Sequence, residues 1–162
     1  MTNAPDNAGV IAPPPLIALA VVVIGLALDW LLPTYVLRVL LLFPERIAVG
    51  AILFAVGAAL GFPAVFAFRS AHTHVEPWKP ASALVTDGIF RWLRNPMYVG
   101  LAFLVAGVGV TFASDWTLVM LVPGAVVLHV GVVRREERYL EAKFGEAYRI
   151  YKARVPRYGW PV

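Results

Sequence analysis

The sequence predicts an all-α, polytopic membrane protein with four transmembrane helices and a C-terminal amphipathic cytoplasmic helix. The first observation is composition: of 162 residues, 60% are hydrophobic and only 15% are charged, and the mean hydropathy is +0.74. Soluble domains are usually about 25% charged, so a soluble globular domain is disfavoured. The second observation is that the apolar residues form four long, nearly uncharged stretches. We expect residues 1–162 to form a single membrane-embedded domain.

The four apolar stretches occupy residues 15–32, 47–68, 97–114 and 116–133. A bilayer core of about 30 Å requires roughly 20 helical residues, so each stretch can span it, the shorter ones with help from their flanks. Strands of a transmembrane barrel would alternate apolar and polar residues, and residues 47–68 do not. Because backbone groups in hydrocarbon must bond within their own segment, these stretches are expected to be helices.

The segment before the first stretch, residues 1–14, is predicted to be a short flexible tail. It contains no Lys or Arg, so it lacks the positive region of a cleavable signal peptide. Within the second stretch, Gly50, Gly57 and Gly61 recur on one helical face, which favours the close approach of another helix.

Basic residues set the orientation. With four spans, both termini and the loop at residues 69–96 share one side of the membrane, and that side carries every Lys and Arg except Arg38 and Arg46. Cytoplasmic loops carry the excess of positive charge, so both termini are predicted to be cytoplasmic, in a bacterial inner membrane. The sequence pI of about 9.7 then reflects attraction to anionic membrane lipids and not nucleic-acid binding.

Most of the polar chemistry lies in two segments on that side, the loop 69–96 and the tail 134–162. The tail has helical periodicity, and its inward face includes Glu136, whereas Glu137 is expected to point to a different face. A buried carboxylate is costly unless it is paired, so Glu136 requires either an internal arginine or a ligand hydroxyl or amine. In the loop, Asn95 before Pro96 predicts a capped helix start, whose free N–H groups favour a negative or polar ligand group.

These segments resemble a known family of membrane enzymes. The matching elements are residues 84–90 (LVTDGIF), residues 94–100 (RNPMYVG), the pair Glu136 and Glu137, and the tail through residues 154–157 (RVPR). In this order and spacing they are similar to isoprenylcysteine carboxyl methyltransferases and phospholipid methyltransferases, over roughly residues 69–158.

The resemblance implies a methyltransferase that uses S-adenosyl-L-methionine as the methyl donor, bound by the loop 69–96 and the tail 134–162. It implies that Glu136 binds the ribose hydroxyls or the amine of the donor and that His74 and Glu76, at the entry to the loop, also contact the donor. The remaining donor contacts that it implies are Leu84, Val85, Phe90, Asn95, Pro96, Met97 and Tyr98.

The acceptor is left open by the sequence: an isoprenylcysteine-like carboxylate, a phospholipid amine and a small thiol all fit a lipophilic substrate that enters from the bilayer. No catalytic residue and no oligomeric state is assigned. His72, His74 and His129 lack the spacing of metal or haem ligands, so no metal is expected. The alternative function is a small transporter or channel that uses Asp29 and His129, since ionisable residues within spans often serve transport.

Overall fold

A computed structural model describes residues 6–159 of the chain, and this part contains helices and no strands. The predicted all-helical class is therefore confirmed. The helices that build the bundle are α1 (Pro14–Leu31), α2 (Val36–Leu40), α3 (Phe43–Ser70), α4 (Pro96–Phe112) and α5 (Asp115–Leu128). A 3-10 turn (Gly88–Arg91) precedes α4, and a π-helical turn (His129–Val133) joins α5 to α6 (Arg134–Phe144), which is followed by α7 (Glu146–Arg154).

Three helical segments are long and apolar enough to cross a membrane. They are α1, α3 and the continuous helix Asp115–Phe144 that α5, the π turn and α6 form together. The apolar helix α4 is shorter, with 17 residues, or roughly 26 Å at 1.5 Å per residue. The chain is thus a helical membrane protein, and the count of four spans stays a prediction.

The glycine face predicted in the second span packs directly against α4. A methyl group on Gly57 would lie 2.8 Å from the carbonyl oxygen of Gly100, and one on Gly100 would lie 2.7 Å from the carbonyl oxygen of Gly57. The two backbones therefore approach too closely for any side chain at these positions. A methyl group on Gly61 would meet no atom within 4 Å, yet the Gly61 nitrogen lies 3.3 Å from where a methyl group on Gly100 would be, so the backbone of this residue is part of the close approach.

At the end of the bundle where α1 finishes and α5 begins, two aspartates cap backbone groups. Asp29 accepts hydrogen bonds from the Ser114 hydroxyl and from the Trp116 N–H. Asp115 accepts from the N–H groups of Val36 and Leu37, at 2.8 and 2.9 Å, and so fixes the start of α2. Asp29 is thus used in joining helices.

The opposite end of the bundle carries the polar segments. We call it the basic end and define it as the loop 71–95, the tail 134–159 and the chain before α1. The amphipathic tail helix predicted from the sequence is divided into α6 and α7. Gly145 lies between them with φ +56°, a conformation that favours glycine and ends α6.

The predicted flexible tail also differs from the structure. Residues 1–5 lie outside the described part. Residues 6–13, which we call the N-terminal strap, lie against the loop, the π turn and α6. Asp6 accepts from Lys143 at 2.7 Å and from the Tyr139 hydroxyl at 2.9 Å. The Ala8 N–H donates to Pro77, and the Ile11 N–H donates to Gly131. The strap is held because these backbone and carboxylate groups find partners on the loop and on the π turn.

Gly57→Ala should destabilise the protein by about 1–3 kcal/mol, the usual cost of forcing a methyl group into a packed interface. Gly61→Ala is the matched control, since its methyl group meets no atom within 4 Å, and replacing a helical glycine by alanine is favourable by about 1 kcal/mol. Thermal unfolding in one detergent measures both. Equal unfolding midpoints for the two variants would contradict the close packing of α3 on α4.

Candidate functional site

A cavity at the basic end collects the candidate residues. It is about 70 Å³ in volume and lies between the strap, the loop, the start of α4, α6 and α7. The candidates from both sequence segments line it: His74, Glu76, Leu84, Val85, Phe90, Asn95, Pro96, Met97, Tyr98 and Glu136. The structure thus brings the predicted residues together, while their contact with a methyl donor stays a prediction.

The 3-10 turn positions Phe90, which is buried in the cavity wall. Its ring meets the ring of Phe68 edge to face, with centroids 5.2 Å apart. The carbonyl oxygen of Phe90 accepts a hydrogen bond from the Tyr151 hydroxyl at 2.8 Å, which ties the turn to α7. Burial raises the pKa of Tyr151 above its ordinary value, so this hydroxyl remains a donor at physiological pH.

An ion-pair network joins the loop to the tail beneath the cavity. The Glu137 carboxylate accepts from Arg94 Nη1 at 2.9 Å and from Arg157 Nε and Nη2 at 2.8 and 2.6 Å. The side chains of Arg94 and Glu137 are only 6% and 11% exposed, so removing either charge leaves the other buried without its partner. The expectation that Glu137 points to another face is wrong.

Both glutamates line the cavity although they are adjacent in the regular helix α6. Successive helical residues point about 100° apart, so a cavity that extends around part of the helix can be lined by both. The π turn ends before them, at Val133, and therefore sets the rotation of the pair as a whole and not their separation. Periodicity separates the two directions but does not show how far around α6 the cavity extends.

Glu136 makes a different set of contacts from Glu137. Its Oε2 accepts a hydrogen bond from the Tyr98 hydroxyl at 2.7 Å, and within residues 6–159 no arginine or lysine pairs with it. The internal arginine that the sequence left open as its partner is thus taken by Glu137 instead. A half-buried carboxylate that faces a cavity with one neutral donor can still bind a hydroxyl or an amine.

Asn95 occupies the residue before α4, as predicted, but its side chain does not cap the helix. Its Nδ2 donates to the carbonyl oxygen of Arg157 at 3.3 Å, and Pro96 takes the first helical position. The Arg94 N–H donates to the carbonyl oxygen of Pro156 at 3.0 Å. The start of α4 is therefore held by the last part of the tail.

His74 and Glu76 lie at the rim of the cavity. Glu76 pairs with Lys79 at 2.7 Å, and the hydrogen bond from Lys79 lowers the pKa of this exposed carboxyl group. Glu76 therefore stays ionised and keeps a charged partner of its own, unlike Glu136.

Residues to which the sequence analysis assigned no role also build the site. Arg94, Tyr148 and Tyr151 line the cavity, and burial raises the pKa of Tyr148 to about 12. The Nε of Arg94 is buried and has no hydrogen-bond partner within the described residues. The signal for Arg94 was present in the sequence: an arginine next to an apolar span needs a carboxylate partner, and Glu137 is available.

A second, larger space adjoins the cavity at Tyr98. It is a groove of about 490 Å³ among α1, α3, α4 and α5. Its walls are apolar except at one end, where Tyr98, His129 and Tyr158 lie. Tyr98 lines both spaces, so an apolar molecule in the groove would lie next to whatever occupies the cavity.

The two residues of the transporter alternative lie far apart. Asp29 contacts Trp116 at the start of α5, whereas His129 follows the end of that helix, roughly 20 Å away at 1.5 Å per residue. No path of ionisable groups links them within the described residues that line the groove.

A family model described as phospholipid methyltransferase matches residues 45–147, more than half of the chain. The chain belongs to the phospholipid methyltransferase family. No curated protein and no solved structure matches it.

Membership in the phospholipid methyltransferase family indicates a methyltransferase that acts on membrane-associated substrates. The matched region begins in α3 and ends in α7, so it includes every candidate residue of the cavity. The resemblance noted in the sequence, which named this family together with the isoprenylcysteine carboxyl methyltransferases, is confirmed at the level of the family. Helix α1 and the last part of the tail lie outside the match.

Glu137→Gln should lower the free energy of unfolding by about 3–5 kcal/mol, because Arg94 would be left buried without a counter-charge. Glu141→Gln is the matched control, since its partners Arg149 and Lys152 are 58% and 39% exposed and exposed pairs contribute about 0–1 kcal/mol. Unfolding in a single detergent measures both. If the two variants unfolded alike, the network would not be holding the tail.

Asp6→Asn should loosen the strap. The hydrogen bonds from Lys143 and Tyr139 lower the pKa of the exposed Asp6 carboxyl group. The ionised Asp6 carboxylate therefore holds the strap fully at any pH above the ordinary pKa of aspartate. Its stabilising effect is lost as the pH falls through the lowered pKa of Asp6 and the group becomes protonated. In the variant at neutral pH, the amides of Ala8 and Ile11 should exchange with deuterium faster than in the unaltered protein. Unchanged exchange would show that the carboxylate does not hold the strap.

Proposed function

We propose that the protein transfers a methyl group from S-adenosyl-L-methionine to a lipophilic or membrane-partitioning acceptor. The observation that carries this proposal is that two spaces of different character adjoin at Tyr98: a cavity at the basic end whose lining mixes charged and polar side chains with apolar ones, and an almost wholly apolar groove among the helices. A water-soluble donor and a lipid-soluble acceptor require such a pair of sites. Family membership supplies the reaction class.

The residues around the cavity fit the donor chemically. The donor carries an α-amino group, a carboxylate, ribose hydroxyls and a positive sulfonium. Glu136 offers a carboxylate, and within the described residues only Oε2 has a hydrogen-bond partner. The buried Arg94 Nε offers an unused donor to an anion. Phe90, Leu84 and Val85 supply apolar walls for a nucleoside.

The cavity must widen to take the donor. At about 70 Å³ it is smaller than a cavity of about 150 Å³ that holds one benzene molecule. The strap contributes Ala8 to the lining, and the loop contributes residues from His74 to Asn95. We infer that these two segments move apart when the donor enters from the aqueous side.

The sulfonium donor supplies an activated methyl group, and the chain supplies placement and exclusion of water. Tyr98 lies where the two spaces meet, so it would align the acceptor atom with the methyl carbon. Holding two reactants in line can lower a barrier by up to about 7–11 kcal/mol. The acceptor remains one of three kinds: an isoprenylcysteine-like carboxylate, a phospholipid amine or a small thiol.

The orientation proposed from the sequence fits this arrangement. The basic end would face the cytoplasm, where the donor is made, and the protein would reside in a bacterial inner membrane with both termini inside. Membrane lipids would surround the groove and deliver the acceptor laterally.

Glu136→Gln should raise the dissociation constant of the donor about tenfold or more, because a hydrogen bond to a charged group contributes roughly 1.5–3 kcal/mol. Binding of methyl-labelled S-adenosyl-L-methionine to detergent-purified protein measures it. Glu141→Gln, whose carboxylate lies off the cavity, is the control and should bind as the unaltered protein does.

Saturable binding to the unaltered, folded protein is the first requirement, and its absence would refute the proposed function. Unchanged affinity in Glu136→Gln, with binding otherwise intact, would refute the role of this carboxylate alone.

A further inference from the structure

The polar end of the groove contains an oriented imidazole. His129 Nδ1 lies 2.8 Å from the hydroxyl oxygen of Tyr158, and the two ring centroids are 5.9 Å apart. In the tautomer in which Nδ1 donates to Tyr158, Nε2 is an acceptor. Nε2 has no hydrogen-bond partner within the described residues, and both side chains line the groove.

The position of this pair follows from the fold. His129 begins the π turn, directly after the apolar length of α5, so it lies at the level where the groove meets the basic end. Tyr158 arrives from the tail, just after Arg157, which the Glu137 network holds in place. The same network that closes the floor of the cavity therefore brings the Tyr158 hydroxyl to His129.

Charged groups surround the imidazole. Arg134 and Arg157 lie close enough to act on it electrostatically, as does Glu137, which is already paired with Arg157. Within the described residues no carboxylate pairs with His129 itself. The end of the groove is thus suited to a head group that has a proton to give to the imidazole.

We propose that His129 is the general base of the methyl transfer, oriented by Tyr158, and that it deprotonates an ammonium acceptor at the polar end of the groove. This inference rests on the proposed function and deepens it. A carboxylate acceptor needs no base, whereas an ammonium group has no lone pair until it loses a proton. A neutral imidazole can accept that proton.

The proposed reaction consists of a proton transfer followed by a displacement at the methyl carbon. The acceptor ammonium gives one proton to His129 Nε2 and becomes an amine. The nitrogen lone pair forms a bond to the methyl carbon as the carbon–sulfur bond breaks, and the electron pair of that bond remains on sulfur as a neutral thioether. The methylated nitrogen carries the positive charge that the sulfonium has lost. The imidazolium then returns its proton to water at the basic end.

His129→Asn tests the proposal in the full chain, because the Asn amide can still bond to Tyr158 but cannot act as a base. Methyl transfer from labelled S-adenosyl-L-methionine to phosphatidylethanolamine is measured in mixed micelles from pH 6.5 to 9.5, beside binding of the donor. His72→Asn is the matched control: His72 lies off both spaces and has φ +51°, a conformation that asparagine tolerates. Tyr158→Phe removes only the hydroxyl that orients the ring.

The expected result for His129→Asn is a kcat at pH 7 at least tenfold lower, with the donor dissociation constant within twofold of the unaltered protein. The deficit should shrink as the pH approaches the pKa of the acceptor, because the amine then arrives already deprotonated. Tyr158→Phe should show a smaller fall of the same kind, and His72→Asn none. In donor-free protein labelled with ¹⁵N-histidine, adding phosphatidylethanolamine should shift the Nε2 resonance of His129.

An unchanged kcat in His129→Asn would overturn the proposal, and so would a deficit equal at every pH, since that pattern indicates a structural role. Methyl transfer by the unaltered protein to carboxylates or thiols but not to amines would overturn it as well, while leaving the proposed function intact. Failure of the unaltered protein to bind the donor would refute the proposed function itself.

Discussion

The pairing of Glu137 with Arg94 and Arg157 is the interaction on which the basic end depends. Glu137 lies in α6, Arg94 lies two residues before the start of α4, and Arg157 lies in the last part of the tail. A carboxylate and a guanidinium buried together are tolerated only when each is well bonded, and here the carboxylate receives three donors. Breaking the set would release the tail, and with it Tyr151 from the 3-10 turn and Tyr158 from His129.

The adjacent glutamate has the opposite character. Glu137 is satisfied by charges and is structural, whereas Glu136 has only the neutral Tyr98 hydroxyl and faces a cavity. Natural proteins seldom keep a partly buried carboxylate so weakly bonded unless it has a ligand. This division between neighbours supports the proposal that the cavity is a binding site and not a packed joint between the loop and the tail.

The sequence predicted much of this arrangement and missed parts of it for physical reasons. Span lengths and charge asymmetry predict the bundle because hydrocarbon permits only helices there. The cavity residues were identified because the resemblance to a known family implied them, and charge asymmetry places the loop and the tail at one end. Glu137 was misplaced because periodicity does not show how far around α6 the cavity extends. The strap was missed because Asp6 and Ala8 bond to distant backbone and side-chain groups that local sequence does not reveal.

The π turn at His129–Val133 has a consequence for how such chains vary. One surplus residue in this turn sets the rotation of everything that follows it. Losing a single residue there would turn the tail by about 100°, the angle between successive helical residues. Hydropathy would hardly change, and the chain would still insert into a bilayer, yet both glutamates would leave the cavity. A similar hydropathy profile is thus no guide to retained chemistry, whereas the number of residues from the start of the π turn at His129 to Glu136 is.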